Sequence, residues 1–586
     1  MARKPLELSS VFAQDGEAKY IAELWNRYNS LRSEKIDEWK ELRNYIFATD
    51  TTKTTNKKLP WKNSTTLPKL CQIRDNLHSN YLSALFPNDD WLKWEAYTKE
   101  SAAKKKVDAI ESYMSNKTRE SNFRSVISSL LYDYIDYGNA FVTAEFESSV
   151  IEDKEGNKNP SFIGPKAVRI SPLDIVFNPI SSSFQDSFKV VRSIKTIGEL
   201  MLMAQDEPEN AYLKAALAKR DVLNKYANAY GLDELNKEEA YQIDGFGNYF
   251  EYLQSGYVEL LTFYGDLHNQ QTNDLQTGRV ITIVDRAWII RNEAIPNWLG
   301  HAPIYHVGWR SRPDNLWSMG PLDNLVGLQY RLDHLENLKA DAMDLAVLPP
   351  LVISGEVEEF DYTPGGEIHI DENGGVTELG KNAQWVIQAN NEISYILTLM
   401  EQFAGAPSEA MGIRTPGEKT AFEVQQLQNA AGRIFQEKTT TFEIHLLERV
   451  LNAMLELAKR NLDGNDIIRV MDDDLGVQQF IGITKDDITA SGKLRPIGAR
   501  HFAAQAQLMQ NLVGIMNGPM AQLLAPHTSS KNLAALVEDV MGLSRFQLFQ
   551  PNIAIFEQQE TQRLMNQAQE DLQMEQSVNP QTGQIA

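Results

Sequence analysis

The stretch Gly412-Ile413-Arg414-Thr415-Pro416-Gly417-Glu418-Lys419-Thr420 comes closest to a phosphate-binding loop. Such a loop cradles phosphates in backbone amides and needs a lysine directly after its second glycine. Here Glu418 stands between Gly417 and Lys419, so a carboxylate faces the phosphate position, and no strand pattern precedes the loop. The segment reads better as a loop capping a helix that starts near Thr420. The nine histidines are scattered, and no pair has zinc-ligand spacing with a third ligand nearby. His301 and His306, in a predicted strand, would point to opposite faces. Asp472-Asp473-Asp474 offers the oxygen ligands of a divalent-cation site but has the composition of a solvated turn. Asp133 and Asp136 lie three apart on a predicted helix, a spacing that can pair carboxylates. Their neighbours Tyr132, Tyr134 and Tyr137 favour hydrogen-bonded packing instead. No Gly-x-Ser-x-Gly elbow, Cys–His pair or His-Glu-x-x-His motif occurs. The expectation is a protein that is not an enzyme and takes no cofactor or metal.

Composition narrows the alternatives. At 586 residues the chain exceeds a single core and is expected to form three to five packing units. Its 42% hydrophobic and 23% charged residues are those of a globular protein. No apolar run approaches the roughly 18 residues that cross a bilayer, and no apolar stretch follows Met1-Ala2-Arg3-Lys4-Pro5 as a secretory signal would. The single cysteine, Cys71, excludes an internal disulfide, fits a reducing compartment such as cytoplasm, and reads as a core thiol. The net charge of −22 argues against tight, static binding to nucleic acid, which needs a basic face. Lys104-Lys105-Lys106 reads as a solvated helix face.

The elements form a definite order. Helices are predicted at 18–48, 66–85, 101–117 and 122–136. Strands follow at Ala140–Glu147, Ala167–Ile170, Ile175–Phe177 and Phe188–Ile194, then polar helix at 197–240. More strands come at Tyr257–Tyr264, Val280–Val284, Ala287–Ile290 and Ile304–Val307. Alternation in the first strand marks a half-buried antiparallel sheet, whereas the β-branched Val280–Val284 suits burial on both faces. Helices are expected at Thr420–Glu437 and Thr440–Arg460, a mixed segment at 466–497, and helices at 499–516, 530–541 and 552–576. The last of these is Gln-rich, and the end of the chain reads as disordered. The fold class is α+β, mainly α-helical.

Between Pro321 and Gly405 the pattern is that of a helix, a small knob and a returning helix. Proline suits the first turn, and Leu322, Leu325, Leu328, Leu332, Leu335 and Leu338 lead to Pro349-Pro350. The knob carries Leu351–Ile353 and Glu367–Ile370, broken by Gly355, Pro364-Gly365-Gly366 and Asn373-Gly374-Gly375. The return runs through Ile393, Ile396, Leu397, Leu399, Met400 and Phe403. An outgoing helix of about 27 residues would span roughly 40 Å. Such a reach suits assembly, and no catalytic pocket requires it.

In order, these elements resemble the portal, or head-to-tail connector, proteins of tailed bacteriophages, with the closest likeness to the short-tailed type. Tyr134-Ile135-Asp136-Tyr137-Gly138-Asn139-Ala140-Phe141 is similar to that family's helix-to-strand entry. Ile170-Ser171-Pro172-Leu173-Asp174-Ile175-Val176-Phe177-Asn178-Pro179 is similar to its strand–turn–strand. Trp309-Arg310 through Gly320-Pro321 resembles the segment leading into its stem, and Arg414 through Glu423 the start of the helix after it. The likeness spans roughly residues 20–545. It implies a wing (1–321), stem helices (322–348 and 390–405), a clip (349–389), a channel loop with further wing helices (406–498), and a crown with the Gln-rich tail (499–586). It also implies a dodecameric ring at one capsid vertex, assembled in host cytoplasm, that passes double-stranded DNA. Implied partners are the large terminase, tail adaptor proteins, and the major capsid and scaffold proteins. Arg414 and Lys419 become candidates for transient DNA contact. Glu356, Glu358, Glu359, Asp361 and Tyr362 become candidates for partner docking. A packaging ATPase or nuclease, or a capsid scaffold, is the alternative, and the sequence supplies the motifs of neither enzyme.

Overall fold

The structure is a computed structural model. It describes residues 11–12, 16–48, 63–86, 91–99, 101, 104–152, 158–223, 257–269, 273–295, 299–347, 351–354, 375–378, 384–404, 434–462, 465–472 and 477–496. The chain divides into two compact units, Met1–Pro496 and Ile497–Ala586. The helices expected at 499–516, 530–541 and 552–576 therefore lie outside the described residues. The fold mixes helix and strand, 53% against 29%, so the expected α+β class with a helical majority holds.

The segment expected to form one helix at 18–48 forms two, Glu17–Leu31 and Ser33–Phe47. The break falls at Arg32, whose side chain is 7% exposed and donates to the carbonyls of Pro172 and Leu173, both at 2.7 Å. A buried guanidinium needs acceptors, and the kink delivers it to a turn that supplies two. Desolvation, with Arg192 nearby, pushes its pKa down to about 9.

A six-stranded sheet follows. Ile175–Phe177, Lys189–Thr196, Tyr257–Asn269, Asp274–Val284 and Trp288–Ala294 lie side by side and antiparallel, with Val11–Phe12 parallel to Tyr257–Asn269. On one face Val190, Phe263 and Ile281 meet Ile21, Leu24 and Trp25 of the first helix. On the other, Val258, Leu260 and Val284 lie under Leu200 and Leu213 of the helices Ile197–Asp206 and Ala211–Leu223. Val280–Val284 is buried along its whole length, as its β-branched composition requires of a sheet covered on both sides.

A second sheet joins Ile304–Gly308, Asn139–Glu152 and Lys158–Ile170. The helices Lys69–Leu85, Lys104–Glu120, Phe123–Asp136 and Glu448–Asn461 pack around it in the largest core, which includes Leu130, Ile135, Val142, Tyr305, Leu451 and Met454. Strand Gly492–Pro496 pairs with Leu92–Ala96 at the edge of this core.

Two local expectations fail for identifiable reasons, and a third is made specific. Cys71 is not a core residue but partly exposed. The apolar period of its helix belongs to Leu70, Ile73 and Leu77, which turns the thiol outward, 3.9 Å from the Asp75 carboxylate. The expected break between Glu437 and Thr440 does not exist, because helix runs on from Ile434 to Asn461 with a π-turn at Glu443–Leu447. Within that continuous helix Thr439 and Thr441 donate their hydroxyls to the carbonyls of Phe435 and Glu437 one turn back. The mixed segment resolves into a hairpin, Asn465–Asp472 with Val477–Thr484, and a short helix Lys485–Ile488.

Candidate assembly interface

The helix–knob–helix region grows from a crossing of two glycines. Helix Phe123–Asp136 ends, and Gly138 turns the chain with φ +68° into strand Asn139–Glu152. A Cβ on Gly138 would sit 2.3 Å from the backbone of Met319 and Gly320, and one on Gly320 would sit 2.6 Å from the Ile135 carbonyl. Beside this crossing the Asn139 side chain is fully buried. It donates to the carbonyls of Tyr137 and Ser318 and accepts from the Ser318 amide. Those bonds orient its amide, so Nε2–H of His306 donates to Asn139 Oδ1 at 3.0 Å. Phe141, Phe177 and Phe184 surround the imidazole, and desolvation pushes its pKa down to about 3. The two carboxylates nearby do not pair with each other; each is held by its own arginine. Asp133 takes Arg169 at 2.5 and 2.6 Å, and Asp136 takes Arg74 at 2.7 and 2.8 Å.

From Gly320 a 3-10 turn, Asp323–Leu325, leads into the outgoing helix Val326–Val347. Pro321 is therefore not its first residue. Asp323 holds the turn by accepting from the Gly320 amide and from Lys35 at 3.0 Å. With 22 residues the helix spans about 33 Å. The expected leucine stripe divides along its length: Leu322, Leu325 and Leu332 are buried, Leu328 and Leu335 are partly covered, and Leu338 is 41% exposed. The return helix runs Gln384–Phe403, six residues earlier than the expected start at 390. It buries Ile393, Ile396, Met400 and Ala404 in the main core, and Glu401 pairs with Lys69 at 2.6 Å.

Between the helices Leu351–Ser354 pairs antiparallel with Gly375–Glu378. The second strand thus begins at a glycine expected to break the knob, while Glu367–Ile370 lies outside the described residues. So do Arg414 and Lys419 and all five docking candidates, Glu356, Glu358, Glu359, Asp361 and Tyr362.

The described surface of this extension has two features. Apolar side chains stand in solvent on all three elements: Leu338, Met343 and Val347, then Val352 and Ile353, then Ile387, Tyr395 and Phe403. Large apolar side chains exposed on every element of one extension fit a surface that another surface covers. Outside the buried Asp333, the two helices also carry Glu336, Asp341, Asp344, Glu392 and Glu401 against only Arg331 and Lys339. Among the described residues no three His, Cys, Asp or Glu side chains gather as metal ligands, and no helix is long and apolar enough to cross a membrane. What this geometry can do is bind a surface.

The sequence reading missed one component. Residues Asn63–Leu67 lie along the outgoing helix and bond to Asp341, Asn337 and Asp333. No local signal announces it, since its partners are some 270 positions away. No model of a known protein family matches the chain, and a search of curated proteins finds no relative.

Proposed function

We propose that the chain is a portal protein: a subunit of a closed ring at one capsid vertex, a conduit for double-stranded DNA during packaging and ejection, and the platform on which packaging motor and tail dock. One observation carries the reading. A pair of long helices ends in a two-stranded sheet, and apolar side chains face solvent along both helices and on that sheet. A two-stranded sheet with exposed Val352 and Ile353 is marginal by itself, which favours completion by neighbouring copies. Head-to-tail copies can close into a ring without a twofold axis. In this reading the two helices are the stem and the tip is the clip, each with the helix ends given above.

The charge supports the conduit. A channel that must release its DNA gains nothing from many lysines and arginines, because every neutralised phosphate adds affinity that transport has to break. An acidic helix pair in a chain of net charge −22 keeps a polyanion sliding. Partners in the virion are the large terminase, tail adaptors, and the major capsid and scaffold proteins, and the ring is dodecameric.

Electron microscopy of the purified protein in negative stain tests this directly. Rings with a central hole are the expected result. A stable monomer at micromolar concentration, by light scattering, overturns the reading.

A further inference from the structure

The strip Asn63–Leu67 is bound in an uncommon way. Its backbone amides at 63, 65 and 67 donate in turn to Asp341 Oδ1 (3.0 Å), Asn337 Oδ1 (2.8 Å) and Asp333 Oδ1 (3.0 Å). The spacing explains the match. Two residues of extended chain advance about 6.7 Å, and four residues of helix advance about 6 Å, so side chains at i, i+4 and i+8 stay in step with alternate amides. The helix also returns donors: Asn337 Nδ2 to the Thr65 carbonyl at 2.8 Å, and Gln329 Nε2 to the Leu67 carbonyl at 2.6 Å. Gln329, Asp333 and Asn337 are almost wholly covered in this arrangement. The helix side chains thus act as a substitute strand for a segment running antiparallel to the helix.

The strip itself reads Asn-Ser-Thr-Thr-Leu, and Leu67, only partly covered, is its sole large apolar residue. Its attachment is polar, whereas the helix below it is fixed at its foot by Leu322, Leu325 and Leu332 in the main core. Hydrogen bonds exchange with water at small net cost, and apolar burial does not.

We propose that Asn63–Leu67 is a latch, a backbone strip that leaves the outgoing helix as a unit while the core stays folded. Opening it removes the support along the polar side of the helix and leaves the apolar foot, the packing against the return helix and the Lys35–Asp323 pair as anchors. The extension is then held stiffly when the latch is closed and more loosely when it is open. The proposal stands independently of the ring reading.

Hydrogen exchange by mass spectrometry on the full-length protein tests it. The Thr65 and Leu67 amides should exchange at least about a hundredfold faster than those of Leu451–Leu455 in the core helix, with rates flat in low urea while the core rates climb, as for local opening. Asn337→Ala removes both bonds to Thr65 and should speed strip exchange about tenfold, with the core helix unchanged. Asn63→Ala, at the outer end, should act in the same direction and more weakly. Strip and core amides exchanging at one rate with one urea dependence would overturn the proposal. So would an Asn337→Ala protein whose core helix loses protection as much as the strip.

Discussion

Gly138→Ala should be among the most damaging single-methyl changes in the protein. The residue sits at φ +68°, where an L side chain costs about 1–2 kcal/mol by itself. The new Cβ would also lie 2.3 Å from Gly320 N and from the Met319 carbonyl carbon. Both are backbone atoms and cannot rotate away. Forcing extra carbon into a packed site costs about 1–3 kcal/mol, so the total is about 2–5 kcal/mol, a large part of the roughly 5–15 kcal/mol that stabilises a typical domain. The displaced segment is the one that enters the outgoing helix, so the damage should spread to the extension. Gly327→Ala is the matched control: it lies in that helix with nothing within 4 Å of its Cβ, and should stabilise by up to about 1 kcal/mol. Urea unfolding followed by tryptophan fluorescence separates the two, since Trp309 and Trp317 flank the crossing. A Gly138→Ala midpoint within error of the wild type would refute the reasoning.

Two further outcomes are expected. His306 has its folded pKa below the unfolded value, so its contribution to stability is complete above pH 6.5 and declines as pH falls toward about 3. The residue is partly buried, so about 1.4 kcal/mol per pH unit is an upper bound. The slope between pH 6.5 and 5 should flatten in His306→Gln, and an unchanged slope would exclude this histidine as its source. Tyr395→Arg combined with Phe403→Arg should leave monomer stability within about 0.5 kcal/mol, as for surface positions, and abolish rings in negative stain. Intact rings from that variant would remove the return helix from the interface.

What was legible in the sequence follows from where the controlling contacts lie. Strand Ile175–Phe177, the buried run Val280–Val284 and the turn at Gly138 are governed by neighbours in sequence, and each is found at or close to its expected place. The errors occur where a distant partner decides. Arg32 breaks a helix because its carbonyl acceptors lie 140 residues away. The helix expected from residue 66 begins at Lys69 because Thr66 and Leu67 belong to the strip on the outgoing helix. The tip strand Gly375–Glu378 was hidden because glycines read as punctuation, and here Gly375 pairs with Ser354. The candidate interface was half legible. Periodicity shows two amphipathic helices, but only the packed chain shows which apolar residues remain uncovered.

The return helix makes the strongest case that those residues are covered in the working molecule. A helix at the surface of a finished monomer is apolar on one side. This one buries Ile393, Ile396 and Met400 against its own core while exposing Ile387 (62%), Tyr395 (60%) and Phe403 (59%). Steps of eight residues advance about 80° around a helix, so the three form an oblique stripe, and Tyr395 lies roughly opposite the buried face. The residues between them are mostly neutral: Gln388, Asn390, Asn391, Ser394 and Thr398 are exposed, Glu392 and Glu401 are the helix's two charges, and no lysine or arginine occurs anywhere in it. A solvated surface would ordinarily carry charge of both signs, whereas interface centres are depleted of it and enriched in aromatic side chains. Apolar on two sides and lacking cations on both, the helix has the composition of an element packed between two neighbours. Its own chain supplies one of them.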